Sequence, residues 1–188
     1  GRRGGGAYLD GTQWWQVRAV PTLPAGARSV GLWVRPDRLT AASLVAGNGL
    51  DLRTTESGSL RLTLTGLAGK PQVVETTPNL LRTRAWHYLT ATADDLALRL
   101  FVDGQLRAEK RRSELPKNPN SDDLTLGHQP GDPQGFVGML DEISLFGRAL
   151  SEAEIQRLHL VGLPKLYTQT RATLDSARTV WADFGGNQ

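Results

Sequence analysis

Alternation of apolar and polar residues at every second position governs what this chain can fold into. Leu60, Leu62 and Leu64 fall on one face, with Arg61 and Thr63 opposite, the pattern of a half-buried strand. Leu98, Leu100 and Val102 repeat it, with Arg99 and Asp103 turned out. Val30, Leu32 and Val34 alternate with Gly31, Trp33 and Arg35 until Pro36 ends the run. Segments 86–92 and 96–102 read as strands joined at Asp94-Asp95. Asp103-Gly104 is a two-residue hairpin signal, and 105–110 returns as the next strand. Turn signals recur every ~8 to 15 residues, the spacing of a sandwich or barrel. The 21 glycines and ten prolines supply them. These segments predict an all-β chain of about 12 to 14 strands in two sheets.

One segment leaves that period. Leu150-Ser151-Glu152-Ala153-Glu154-Ile155 is a helix start: Ser151 caps, and Glu154 three residues on reaches back to the Ser151 amide. Leu150 and Ile155 form a hydrophobic staple, and Leu158 continues the same face. Gly162 and Pro164 stop the helix, which is expected over 152–160. Residues 166–188 lack alternation, although Leu174, Ala177, Trp181 and Phe184 would share a helical face. The chain is therefore divided into a domain over 1–161 and an extension over 162–188, either a packed tail helix or a linker. The glycine-rich opening, residues 1–6, reads as flexible.

Composition narrows the function classes. With 188 residues and 39% apolar content the chain can bury a real core. Cysteine is absent, so disulfides and thiolate metal sites are excluded. No apolar run approaches the roughly 18 residues that a membrane helix needs, so no membrane insertion is expected. The net charge of +3 rests on 22 basic residues, 18 of them arginine, with no dense basic stripe interleaved with aromatics. Nucleic acid is not an expected partner.

Several blocks in order resemble one family. They are Gly6-Ala7-Tyr8-Leu9-Asp10-Gly11, Val30-Gly31-Leu32-Trp33-Val34-Arg35-Pro36, and Trp86-His87-Tyr88-Leu89 followed by Leu98-Arg99-Leu100-Phe101-Val102-Asp103-Gly104. Leu124-Thr125-Leu126-Gly127 comes next, then Gly135-Phe136-Val137-Gly138-Met139-Leu140-Asp141-Glu142-Ile143 and Arg148-Ala149-Leu150-Ser151-Glu152-Ala153-Glu154-Ile155. Together they resemble laminin-G-like, or concanavalin-A-like lectin/glucanase, domains over 6–160. The resemblance implies a two-sheet antiparallel jelly-roll sandwich with one short helix near the C-terminus. It also implies a module that binds a glycan or protein, set in a larger protein that is extracellular, at the cell surface or periplasmic. The alternative is a structural subunit of a larger assembly, docked through the 162–188 tail.

Within that family some members are glycanases, which set carboxylates at alternate positions of one strand. Here the corresponding strand offers only Asp141 and Glu142, which as neighbours point to opposite faces. Asp94-Asp95 and Asp122-Asp123 read as turns, no serine sits in a nucleophile elbow, and His87, His128 and His159 lack ligand spacing. The expectation is no enzyme activity, with His87 structural. Asp141 shares strand parity with Val137, Met139, Ile143 and Leu145, so in a regular strand it points toward the core. The resemblance offers calcium as cofactor there, held by Asp141, Asp10 and loop carbonyls. The other reading, which the residues favour, is a hydrogen-bonded acid tying down the preceding loop, because no dedicated calcium loop is present. Ligand binding is assigned to the loop 127–135 through His128, Gln129, Asp132 and Gln134, with two prolines limiting its unfolded freedom. Replacing Asp132 and Gln134 together is expected to weaken binding with little loss of stability. Only one of Trp14 and Trp15 can face the core if both lie on a strand.

Overall fold

The computed structural model describes residues 6–17, 27–66, 69–113, 123–129, 131–161 and 180–181. Thirteen strands and one helix lie among them. Two antiparallel sheets pack face to face. The first runs β1 (Ala7–Asp10), β12 (Val137–Phe146), β3 (Arg28–Pro36), β8 (His87–Ala93), β9 (Ala97–Val102) and β10 (Gln105–Arg111), with β13 (Val180–Trp181) also on β12. The second runs β2 (Trp15–Val17), β11 (Leu124–Leu126), β4 (Ser43–Gly47), β5 (Leu50–Thr54), β6 (Leu60–Thr65) and β7 (Pro71–Glu75). This is the expected jelly-roll sandwich.

The alternating leucines and valines account for the core. Val30, Leu32 and Val34 meet Leu89, Ala91, Leu98, Leu100 and Val102 within the first sheet. Across the gap lie Leu50, Leu52, Leu60, Leu62 and Leu64 of the second. The Asp103-Gly104 hairpin has positive φ at both residues, 52° and 76°, as a two-residue turn of matching twist requires.

The outer face of the first sheet is covered as well. Trp33, Tyr88 and Phe101 project from it and pack with Leu150 and Ile155. Helix α1 (Glu152–Val161) lies over them. Its capping box forms: the Ser151 amide donates to Glu154 Oε2 at 2.8 Å, and the Glu154 amide donates to Ser151 Oγ at 3.4 Å. His159 of the helix stacks on Tyr88, with ring centroids 6.2 Å apart.

Two sequence expectations change here. Asp141 does not share a face with Ile143 and Leu145. A bulge interrupts the β12–β3 register between Asp141 and Ser144, and Glu142 has φ of 47°. An extra residue in one strand flips the parity of everything beyond it. Leu140 and, after the bulge, Ile143 and Leu145 therefore join the inner core, while Asp141 lies beside Trp33 on the outer face. The helical face drawn through Trp181 also changes: Val180–Trp181 pair with Ser144 and Leu145 as a strand. The rest of the tail and residues 1–5 of the glycine-rich opening lie outside the described residues. No helix among the described residues is long and apolar enough to cross a membrane.

Candidate functional site

The antiparallel topology collects the turns at two ends of the sandwich. The turns after β1, β3, β5, β9 and β11 share one end, and those after β4, β6 and β8 share the other. The loop assigned to ligand binding, after β11, is at the first. Its base is closed by the Phe136 amide donating to the Gly127 carbonyl at 2.7 Å, and by the Gly127 amide donating to Leu44 O at 3.0 Å. The Asp132 amide donates to Gln129 O at 2.9 Å, making a tight turn at its tip. Pro130 lies outside the described residues.

Asp132 is not a free surface group. Its side chain keeps only 9% exposure and meets Arg53 Nη2 at 3.2 Å. Arg53 also donates through Nε to Asp51 Oδ2 at 2.6 Å. The single hydroxyl proton of Ser43 is in reach of Asp51 Oδ1, 2.8 Å, and Asp132 Oδ2, 3.0 Å. Burial lowers the proton affinity of Arg53, but contacts with Asp51 and Asp132 outweigh it and hold its pKa above the ordinary value. Loop and sheet are thus joined by a carboxylate–guanidinium–carboxylate triad. The expectation that Asp132 can be replaced at little stability cost does not survive this geometry.

That triad opens a row across the outer face of the second sheet. Ser43, Arg53, Arg61 and Glu75 stand in cross-strand register. The two arginines are neighbours, and each is held by its own acid: Arg61 meets Glu75 at 2.7 Å. Glu75 is lowered by the Ser59 hydroxyl and by Arg61, against the effect of burial. Among the described residues no helix packs on this face, in contrast to the first sheet. The alternation of Leu50-Asp51-Leu52-Arg53 signals the Asp51–Arg53 pair on one face. Nothing local signals that Asp132, 79 positions away from Arg53, completes it.

The other assigned residues are divided. Gln129 lies at 3.5 Å from Arg53, Gln134 is exposed, and His128 keeps Nδ1 buried with no hydrogen-bond partner among the described residues. Beside them the Gly135 amide donates to Gly11 O at 3.0 Å, which fastens the turn after β1 to the loop. That turn carries Trp14, 42% exposed, while Trp15 enters β2 and packs against the core.

Asp10 and Asp141 are not brought together. Asp10 pairs with Val137, and Asp141 lies four residues further along β12, about 13 Å at the usual strand rise. Ligands of one calcium ion sit within roughly 2.6 Å of it, so these two acids do not fit a shared site. Asp10 Oδ1 instead accepts from the amide and hydroxyl of Thr12, and the hydroxyl contact leads in holding its pKa below the usual range. Asp141 Oδ1 accepts from the Glu142 amide at 2.9 Å, within the bulge. Among the described residues no three His, Cys, Asp or Glu side chains gather as a metal site. His87 donates from Nδ1 to Asp103 at 3.0 Å while its Nε2 accepts the Arg82 amide, so both ring nitrogens are used in holding a turn.

A search of the curated proteins finds no match. Solved structures match in fold. The binding domain of botulinum neurotoxin serotype G superposes with a TM-score of 0.62 at 14% identity, over 84% of this chain and 46% of that one. The binding domain of botulinum neurotoxin DC, in complex with rat synaptotagmin II, gives 0.62 at 15%, over 74% and 36%. The receptor-binding domain of mosaic serotype C/D, with a tetraethylene glycol molecule bound, gives 0.59 at 15%, over 71% and 36%. The chain spans less than half the length of these structures. The family model described as the concanavalin A-like lectin/glucanases superfamily matches residues 9–156. That match takes in well over half of the sequence, and the chain belongs to the concanavalin A-like lectin/glucanase superfamily.

Proposed function

We propose that this chain is a non-catalytic recognition module that binds a glycan or a protein surface, as part of a larger secreted or surface protein. The observation that carries the reading is the pinned loop. The Arg53–Asp132 contact and the Phe136–Gly127 bond hold it in one shape beside the exposed Trp14. A preordered loop loses less entropy on binding. An exposed indole on the turn that Gly135 fastens to the loop, together with the Gln129 and Gln134 amides on the loop itself, supplies a stacking surface and hydroxyl-bonding groups. That pairing favours a glycan. The receptor-binding neurotoxin domains of the same fold lend support by analogy alone.

The non-catalytic part of the reading has to account for a carboxylate pair that strand parity does not reveal. Asp51 and Asp132 both approach Ser43 Oγ, so their nearest oxygens are at most about 6 Å apart, close enough to invite comparison with glycosidase carboxylates, which work roughly 5 to 9 Å apart. A glycosidase needs both carboxylates turned toward the scissile bond. Here Arg53 donates to both and the Ser43 hydroxyl lies between them, so their oxygens are engaged in the contact of loop with sheet. The pair therefore serves as a brace.

A glycan array probed with the wild-type chain and with Trp14→Ala tests the proposal. Binding to a glycan class that Trp14→Ala abolishes is expected, with stability changed by less than ~1 kcal/mol. Binding unaffected by Trp14→Ala, or release of cleaved product, would refute it.

A further inference from the structure

The end of the sandwich opposite the candidate loop holds a buried cation that meets no counter-charge among the described residues. Arg28 opens β3, where it pairs with Ala93 at the end of β8. It is 1% exposed. Its Nη1 donates at 2.7 Å to the carbonyl of Asn48, in the turn between β4 and β5. Among the described residues its Nε and Nη2 meet no acceptor. Those two donors lie on one edge of the guanidinium and point the same way, the fork that matches two oxygens of a planar anion. Asn48, itself buried, likewise has a side-chain amide without a partner.

The electrostatics here run against an ordinary internal ion pair. Burial first, then the nearby positive charge of Arg112, pushes the Arg28 pKa down to about 10. That still leaves the group charged at neutral pH. Asp94 and Asp95 act on Arg112, which also donates to the Asp94 carbonyl. Among the described residues no carboxylate pairs with Arg28. Buried charges in folded proteins are paired, because an isolated one is very costly to remove from water. A fully enclosed guanidinium with an unmet bidentate edge calls for a negative charge at that edge.

We propose that Arg28 is the floor of an internal anion site that takes one small planar oxyanion of carboxylate type, held by Nε and Nη2 of Arg28. The site is separate from the candidate glycan loop, so each proposal stands or falls alone. The enclosure of Arg28 limits what reaches it to a small acid or to the carboxyl group of a larger ligand. Acetate represents the first source and glucuronate the second.

The test titrates wild-type protein, Arg28→Met and Arg28→Lys with sodium acetate at constant ionic strength. Thermal unfolding and the Nε–H resonance of Arg28 in arginine-labelled protein are the readouts. In the wild type the unfolding midpoint should climb and saturate, with the Nε–H resonance shifting along the same curve. Arg28→Met should lose the response. Arg28→Lys, which keeps the charge but not the fork, should weaken it by about tenfold. Glucuronate acting like acetate assigns the site to an acid-bearing ligand; acetate acting alone assigns it to a free small anion. Should Arg28→Met fail to fold, the wild-type resonance decides. A resonance that acetate leaves unmoved, or a midpoint response equal in wild type and Arg28→Met, overturns the proposal.

Discussion

Removing the Asp132 carboxylate tests whether the candidate loop is held in place. The carboxylate accepts from Arg53 Nη2 at 3.2 Å, the backbone amide of Gln129 at 3.3 Å and that of Ser43 at 3.4 Å, and shares the Ser43 hydroxyl proton, 3.0 Å away, with Asp51. A charge-assisted hydrogen bond of good geometry contributes ~1.5 to 3 kcal/mol. These contacts are longer than ideal, and Arg53 is partly in water, which screens the pair. Arg53 also keeps Asp51 at 2.6 Å, so Asp132→Ala strands no charge. The expected loss is ~1 to 2 kcal/mol, more than the ~0.5 kcal/mol typical of surface changes. For a chain of this size it lowers the midpoint by roughly 2 to 8 °C. Urea unfolding of Asp132→Ala, Arg53→Ala and the double variant gives the coupling, expected near ~1 kcal/mol. Gln134→Ala, at an exposed position, should stay within ~0.5 kcal/mol. If Asp132→Ala also stays within that limit and the coupling is zero, the loop is not pinned and the argument from preordering fails.

Two further outcomes follow from packing and charge. A Cβ at Gly31 would sit 2.6 Å from the Tyr88 hydroxyl and 3.1 Å from Ser144 Oγ, so Gly31→Ala should cost ~1 to 3 kcal/mol. Tyr88→Phe in the same chain should restore part of it in thermal unfolding; no recovery would show that the clash lies elsewhere. Burial raises the Asp103 carboxyl, but the contacts with His87 and the Tyr88 amide outweigh it and leave the pKa below its usual value. A depressed folded pKa contributes stability above the unfolded value, about 4, and loses it as pH falls through the folded value. Unfolding measured from pH ~5 down to ~2 should therefore show an acid limb that Asp103→Asn flattens; an unchanged limb would assign it to other carboxylates.

The sandwich was legible because its signals are local. Leu60-Arg61-Leu62-Thr63-Leu64 can bury one face only, and Ser151 with Glu154 closes a box within one helical turn. The site was less legible because it depends on residues far apart in sequence. Asp51 and Arg53 alternate with leucines in plain view, but their partner Asp132 comes from another loop. Counting positions in twos puts Asp141 on the core side, and a single bulge at Glu142 reverses that count. The unmet fork of Arg28 has no sequence signature, since an arginine at the start of a strand is ordinarily solvated.

Recognition without turnover at the loop end is the central claim. Its most direct test is to titrate the isotope-labelled chain with a saccharide selected on the array, map the amide resonances that move, and recover the saccharide afterwards. The account predicts shifts centred on residues 12–16 and 128–134, extending onto Ser43 and Arg53, with the saccharide recovered intact. Shifts confined to the helix-covered face of the first sheet, or a saccharide recovered in pieces, would contradict it.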